Sequence, residues 1–311
     1  MDNKNWTAVA EFFFLGFHEL GRLRNLLFIL ILMAYTITVL LDFSIITLVS
    51  TRQCLFSPMY FFLKNFLGSE IFVVTLIVPN LLHVIWLEGA PISVPGCIAQ
   101  SYLYCGSGST ECYLLAAMAY DRYLAICKPL HYNTIMDPRL QYFLVIFCWV
   151  FGFLLTVITL SLLVELKFCN RNIIDHYFCD LVPLMDLACS DIYALQMEIL
   201  VLSIPILLIP FVFVLVSYAC VFITILGMSS ITGRKKAFST CSSHLSVVGI
   251  FFGTLIVNYL IPVNGHPVAI NKMISLIYTV VTPLFSPIIY SIRNQNMRDV
   301  IKTLFNFCKK I

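Results

Sequence analysis

Residues 201–226 read VLSIPILLIPFVFVLVSYACVFITIL, with no charged side chain anywhere in the run. A helix packed on the surface of a soluble core keeps a polar face. An uninterrupted apolar stretch of this length suits a bilayer, whose hydrocarbon is crossed by roughly 20 residues rising about 1.5 Å each. Similar runs recur between polar breaks at 25–50, 57–84, 97–127, 140–163, 194–226, 237–261 and 271–291. They lack the short alternating segments of a membrane barrel. The expected fold is therefore all-α, a seven-transmembrane helix bundle. The composition agrees: of 311 residues, 60% are hydrophobic and 11% charged, and the mean hydropathy is +0.93, far from the balance of a soluble domain. The spans take up almost all of 1–311, so a single domain is expected, without a separate catalytic unit. The first run follows some 24 fairly polar residues and has no small-residue cleavage site, so it reads as a retained helix rather than a signal peptide.

Orientation follows from the basic residues. Arg122, Lys128 and Arg139, then Arg234, Lys235 and Lys236, then Arg293, Arg298, Lys302, Lys309 and Lys310 fall in alternate connections and in the tail. Cytoplasmic loops carry such an excess. The segment 164–193 instead has Glu165, Asp175, Asp180, Asp186 and Asp191 against Lys167 and Arg171, and 262–270 has no Lys or Arg. The N-terminus is thus expected outside, in a multi-pass plasma-membrane protein with a short amphipathic helix at 294–307 on the cytoplasmic side. The sequon Asn5-Trp6-Thr7 is consistent with an outer glycosylated segment. Sidedness accounts for the net charge of +3, so nucleic acid is not an expected partner.

Of twelve cysteines, Cys97, Cys169, Cys179 and Cys189 fall in the outer segments, where disulfides persist. Four cysteines allow three pairings, and the residues alone leave that choice open. Zinc is disfavoured, because the ten-residue spacing of Cys169, Cys179 and Cys189 matches no metal knuckle. On the third span, Tyr104, Cys105, Gly108, Ser109 and Cys112 recur on one helical face. Small residues leave space there beside a few hydroxyl and thiol groups, as a small, mostly apolar ligand requires. Asp42, Glu70 and Glu111 lie inside apolar runs, where acids face the bundle interior. Three neighbouring carboxylates cannot all stay ionised cheaply, so a proton or a cation must compensate. An enzyme using paired carboxylates is set aside, since no substrate cleft is implied.

The end of the third span reads Met118-Ala119-Tyr120-Asp121-Arg122-Tyr123-Leu124-Ala125-Ile126-Cys127-Lys128-Pro129-Leu130-His131-Tyr132, which is similar to the signature of olfactory receptors within the rhodopsin-like family. Pro58-Met59-Tyr60-Phe61-Phe62-Leu63, Ser217-Tyr218, Lys236-Ala237-Phe238-Ser239-Thr240-Cys241-Ser242-Ser243-His244-Leu245 and Pro287-Ile288-Ile289-Tyr290-Ser291-Ile292-Arg293-Asn294 extend the resemblance over essentially the full length. It implies a receptor for a small volatile odorant that activates a heterotrimeric G protein of the stimulatory, olfactory class and so raises cAMP. Asp121 would hold Arg122 at rest, beside Tyr123, and release it on activation, when Tyr218 and Tyr290 swing inward. Lys235 and Lys236 would lie near the G protein. The plainer reading of Arg122 is a side chain reaching the membrane interface as a topology anchor.

The resemblance also pairs Cys97 with Cys179 and Cys169 with Cys189. It places Leu202, Ser203, Ile206, Phe252, Ile256, Tyr259, Leu276 and Thr279 on the opposing wall of the ligand pocket, and sets Glu70 and Glu111 at positions linked to Na+, with Asp42 nearby. No other cofactor is implied. The chain departs from the family at Asp42, where Asn is usual, at Glu70, where Asp is usual, and at Ser286, where Asn is usual. A receptor of this fold for an endogenous metabolite is the alternative within the class. An ion-coupled transporter or channel is the more remote one, and it would call for an inverted repeat that the sequence does not display.

Overall fold

The computed structural model describes residues 9–21, 23–169, 171–259, 268–293 and 297–300. Asn5, the connection 262–267 and all of the tail helix 294–307 except 297–300 lie outside the described residues, as do the side chains of Lys235, Lys236 and Tyr259. The long helices are α1 (Leu23–Thr51), α2 (Pro58–Leu87), α3 (Val94–Cys127), α4 (Pro138–Glu165), α5 (Tyr193–Leu226), α6 (Ile231–Tyr259) and α7 (Val268–Leu276, continuing to Arg293). Their starts follow local chemistry. Ser57 and Asp137 precede Pro58 and Pro138, whose missing N–H costs nothing in a first turn. Ser93 Oγ accepts from Gly96 N at 3.2 Å, and Asp137 Oδ1 accepts from Leu140 N at 2.8 Å, each capping an otherwise orphaned donor.

Among the described residues, six helical segments are long and apolar enough to cross a membrane, within α1, α2, α4, α5, α6 and α7. Their outer faces are apolar: in α1, Ile31, Thr38, Asp42, Ile45 and Val49 turn inward while Leu26, Ile29, Leu30, Met33, Ile37, Leu40 and Phe43 are exposed. α3 differs for a physical reason. It packs against α2, α4 and α5 at once and buries Gln100, Ser101, Ser107, Ser109, Thr110, Glu111 and Asp121, so it has little face to present to lipid. Contact with α4 is close because Gly152 has no side chain; a Cβ there would stand 2.6 Å from Thr110 Oγ1 and 2.9 Å from its backbone nitrogen.

α5 and α7 each widen through one π turn, at Ile204–Leu208 and Ile277–Val281. Both turns close directly before a proline, Pro210 and Pro283, which has no N–H to give and whose ring crowds the carbonyl four residues back. Ile209 N–H accordingly bonds Ile204 O, and Thr282 N–H bonds Ile277 O. In α5 that register deprives the Pro205 carbonyl of its usual donor, and Tyr113 of α3 replaces it, with Oη donating at 2.9 Å.

The wholly helical expectation is corrected at the end of the bundle where α3 begins: β1 (Glu11–Phe14) pairs antiparallel with β2 (Ala90–Ser93) and parallel with β3 (Ile173–Ile174). Alternation makes this possible: Phe12 and Phe14 are buried while Glu11 and Phe13 face out. The two rings sit in a cluster with Val84, Cys97, Leu163, Phe168, Cys179 and Leu184. Gly89 permits the approach, since a Cβ at its φ of +129° would stand 2.6 Å from the Phe13 ring. Cys97–Cys179 ties α3 to the segment behind β3, and Cys169–Cys189 closes that segment on itself. A bridge across a separation of 82 residues contributes about 4–5 kcal/mol by the loop-entropy estimate.

Cys97→Ser should therefore lower the surface level of tagged receptor at least about fivefold. Cys220→Ser, which removes an exposed free thiol, should leave it unchanged. Flow cytometry on intact cells checks both; normal delivery of Cys97→Ser would remove the bridge's structural role.

Candidate functional site

A cavity of about 110 Å³ opens between α3, α4, α5, α6 and α7, beneath the lid built on β1, β2 and β3. For scale, an apolar cavity of about 150 Å³ takes up benzene. Tyr104, Cys105, Gly108, Ser109 and Cys112 line its α3 wall, and Leu202, Ser203 and Ile206 line the α5 wall beside the π turn. Leu255 and Tyr278 close the α6 and α7 sides. Among the described side chains, the remaining expected wall residues lie elsewhere. Phe252 is fully buried against Phe211, with ring centroids 5.2 Å apart. Ile256 and Leu276 pack on the core. Thr279 bonds Tyr177 Oη at 3.0 Å.

α4 contributes Thr156 and Thr159, which the sequence reading missed. Their signal was present: Gly152, Thr156 and Thr159 form a small, polar inner stripe on an otherwise apolar helix, and all three are buried. Four hydroxyls of the cavity turn their hydrogens to the protein. Ser109 Oγ donates to Cys105 O at 2.8 Å, Thr156 Oγ1 to Phe153 O at 2.9 Å, Thr159 Oγ1 to Glu198 Oε1 at 2.7 Å and Ser203 Oγ to Leu200 O at 2.7 Å. What they present to the cavity is lone pairs.

At the opposite end of α3, Arg122 Nη2 and Nε donate to Asp121 Oδ2 at 2.7 and 3.1 Å. Tyr132, on the following short helix, donates through Oη to Asp121 Oδ1 at 2.7 Å. Asp121 is fully buried, and both carboxylate oxygens are engaged. Tyr132 stands in the quoted motif, yet its role was not foreseen, because only the fold turns it back eleven residues. Tyr123 is half-buried on the same helix end. Tyr218 Oη is 2.6 Å from His244 Nδ1 of α6, not on Arg122. Tyr290 is buried, and its Oη has no partner among the described residues. The arrangement is a closed one, with Asp121 and Arg122 joined.

Asp42, Glu70 and Glu111 converge between these two ends, within electrostatic reach of one another. Among the described residues, both Asp42 oxygens, Glu70 Oε2, Glu111 Oε1 and the neighbouring Ser69 Oγ have no hydrogen-bond partner. No group of three or more His, Cys, Asp or Glu side chains there is arranged to hold a metal ion.

Above the cavity, Lys272 Nζ donates to Gly16 O at 2.8 Å and pairs with Asp175, joining α7, the N-terminal segment and the outer loop at one ammonium. His176 follows, stacked on Tyr177 at 4.6 Å and accepting from Phe178 N through Nδ1. Burial, then the Lys272 charge, push its imidazole down to about 3.

A bundle of apolar helices with a cavity at one end and a buried acid–arginine pair at the other fits a membrane receptor. The olfactory receptor family model matches residues 30–309. Human olfactory receptor 11H6 is 43% identical, the alignment covering 96% of this chain and 91% of that protein. Human olfactory receptor 10A7 is 42% identical over 96% and 95%, and mouse olfactory receptor 1M1 is 41% identical over 98% of each. The chain belongs to the olfactory receptor family of G protein-coupled receptors, multi-pass proteins of the plasma membrane whose work is signalling rather than catalysis.

The His176 geometry sets a pH dependence. An ordinary imidazole takes up its proton near 6.5, whereas in the closed lid it does so only near 3. Between those values the opened loop binds the extra proton, so lid stability is complete above the ordinary value and declines as pH falls below it. Hydrogen-exchange protection of residues 173–180, corrected for intrinsic rates, should drop between about pH 8 and about pH 5, and His176→Phe should flatten that change. An equal drop in the variant would assign the effect to another group.

Proposed function

We propose that this receptor binds a small, mostly apolar volatile molecule carrying one hydrogen-bond donor, an alcohol in the simplest case, and signals through a stimulatory, olfactory-class G protein to raise cAMP. α3 is the seventh membrane crossing in this reading, the N-terminus lies outside, and the tail 294–307 forms a short amphipathic helix on the cytoplasmic side. One observation carries the reading: the helix that lines the cavity at Tyr104–Cys112 also bears Asp121–Arg122, about 15 Å further along its axis. A ligand wedged against α3, α5 and α6 favours the packing in which α6 moves away, Arg122 leaves Asp121 and Tyr132, and Tyr218 and Tyr290 turn toward it. Lys235 and Lys236 then meet the G protein. The donor preference follows from the hydroxyls of Ser109, Thr156, Thr159 and Ser203, whose own hydrogens are turned to the protein. A ligand lacking a donor leaves them facing an unmatched surface.

A cAMP reporter tests this. Gly108→Val, which fills space beside Tyr278, should raise the half-maximal concentration of an active alcohol at least about tenfold at equal surface level. The corresponding ketone should be weaker on the parent. Arg122→Ala should abolish the response. Tyr132→Phe, which removes a hydrogen bond to a charged group, should raise basal cAMP up to about tenfold. Unchanged potency in Gly108→Val, or full signalling by Arg122→Ala, would sink the reading.

Na+ belongs to the same proposal. Carboxyl and hydroxyl oxygens of Glu70, Glu111, Asp42 and Ser69 are the hard donors that such a cation prefers; they do not enclose an ion as they stand, and binding would draw their unpartnered oxygens together. The cation would neutralise interior charge, and with three acids at least one keeps a proton. Replacing choline chloride by NaCl should raise the melting temperature of the purified receptor by about 2–4 °C, an effect that Glu70→Gln should lose. Identical melting in both salts would end the assignment.

A further inference from the structure

At the end of the bundle that holds Asp121 and Arg122, a second cavity of about 410 Å³ lies where α1, the start of α2 and the start of α4 meet. Its wall combines Lys64, Ser50, Ser57 and Gln141 with the rings of Phe61 and Tyr142. The two rings brace each other edge to face at 5.0 Å, and Lys64 Nζ stands 5.0 Å from the Phe61 centroid. Phe56 and Tyr142 are 64% and 59% exposed, so the apolar side of the cavity opens outward to where lipid chains run.

Charge distinguishes this cavity from a packing defect. Lys64 is half-buried only six residues into α2, about 9 Å from its first residue, which is headgroup depth for a helix of 30 residues. Among the described residues it joins no ion pair; neither do Arg52 and Arg139, two residues from Ser50 and Gln141 respectively. No acid lines the cavity, and the nearby Asp137 is engaged in capping α4. Lys64 among hydroxyl and amide groups, with Arg52 and Arg139 close by in the sequence and an open aromatic wall beside it, matches a phosphate-bearing headgroup with its acyl chain.

We propose that this cavity is a binding site for an anionic phospholipid of the cytoplasmic leaflet. Its headgroup lies on Lys64 with Arg52 and Arg139 at the rim, and its chain lies along Phe56, Phe61 and Tyr142. The leaflet assignment rests on the orientation proposed above. The lipid bridges α1, α2 and α4 close to the Asp121–Arg122 end and so bears on the stability of the closed arrangement.

The full receptor in phosphatidylcholine nanodiscs, doped with a photoactivatable phosphatidylserine or phosphatidylcholine, provides the test, with crosslinks mapped by mass spectrometry. Phosphatidylserine should label peptides spanning residues 49–64 and 141–142. Lys64→Gln should lower that labelling about fivefold and Lys64→Arg should retain it. Soluble glycerophosphoserine should not compete. Equal labelling by the two lipids on the parent receptor, which needs no variant to fold, would overturn the proposal. So would undiminished labelling of Lys64→Gln, or full competition by the soluble headgroup.

Discussion

Hydrocarbon cannot hydrogen-bond, so every polar group of a membrane-embedded chain must find its partner inside the protein. α3 concentrates that constraint. It buries Gln100, Ser101, Ser107, Ser109, Thr110, Glu111 and Asp121 in one helix, and α2, α4, α5 and α6 pack around it. Where backbone bonds fail, side chains from α3 repair them, as Tyr113 does for the Pro205 carbonyl. The π turns of α5 and α7 each precede a proline, and they bury Leu207 in α5 and Tyr278, Thr279 and Val280 in α7.

The same constraint separates two kinds of polar site. Asp121 is fully satisfied, by Arg122 on one oxygen and Tyr132 on the other, which makes a definite closed state with a definite contact to break. Asp42, Glu70 and Glu111 retain unpartnered oxygens. Such groups call for a proton or a cation. The cavity lies above both, and α3 connects all three.

The lid over the cavity answers a different problem. A mostly apolar site needs water kept away, and a four-residue strand with two buried phenylalanines does this only when other strands are offered on both sides. Lys272 adds one charged tie among the N-terminal segment, the outer loop and α7. Because Lys272 and His176 are both buried there, the lid carries its own electrostatic sensitivity.

Much of the protein was legible in the chain. Apolar runs of spanning length leave helices as the economical solution in lipid, and the motif around Asp121-Arg122 marks the family that the comparisons show. The α3 wall of the cavity was readable because residues spaced on one helical turn share a face whatever surrounds them. Tertiary structure decided what depends on contact between distant segments. Phe252 and Thr279 were left out of the cavity, and Thr156 and Thr159 were brought in, by how α4, α6 and α7 are rotated against α3. β1 became a strand because β2 and β3 came beside it, and Tyr132 reached Asp121 because the chain turns back after α3. Periodicity along a helix is a local property that sequence carries. The rotation and depth of one helix against another come from side chains far apart in the sequence meeting at once, and only the folded structure holds that information.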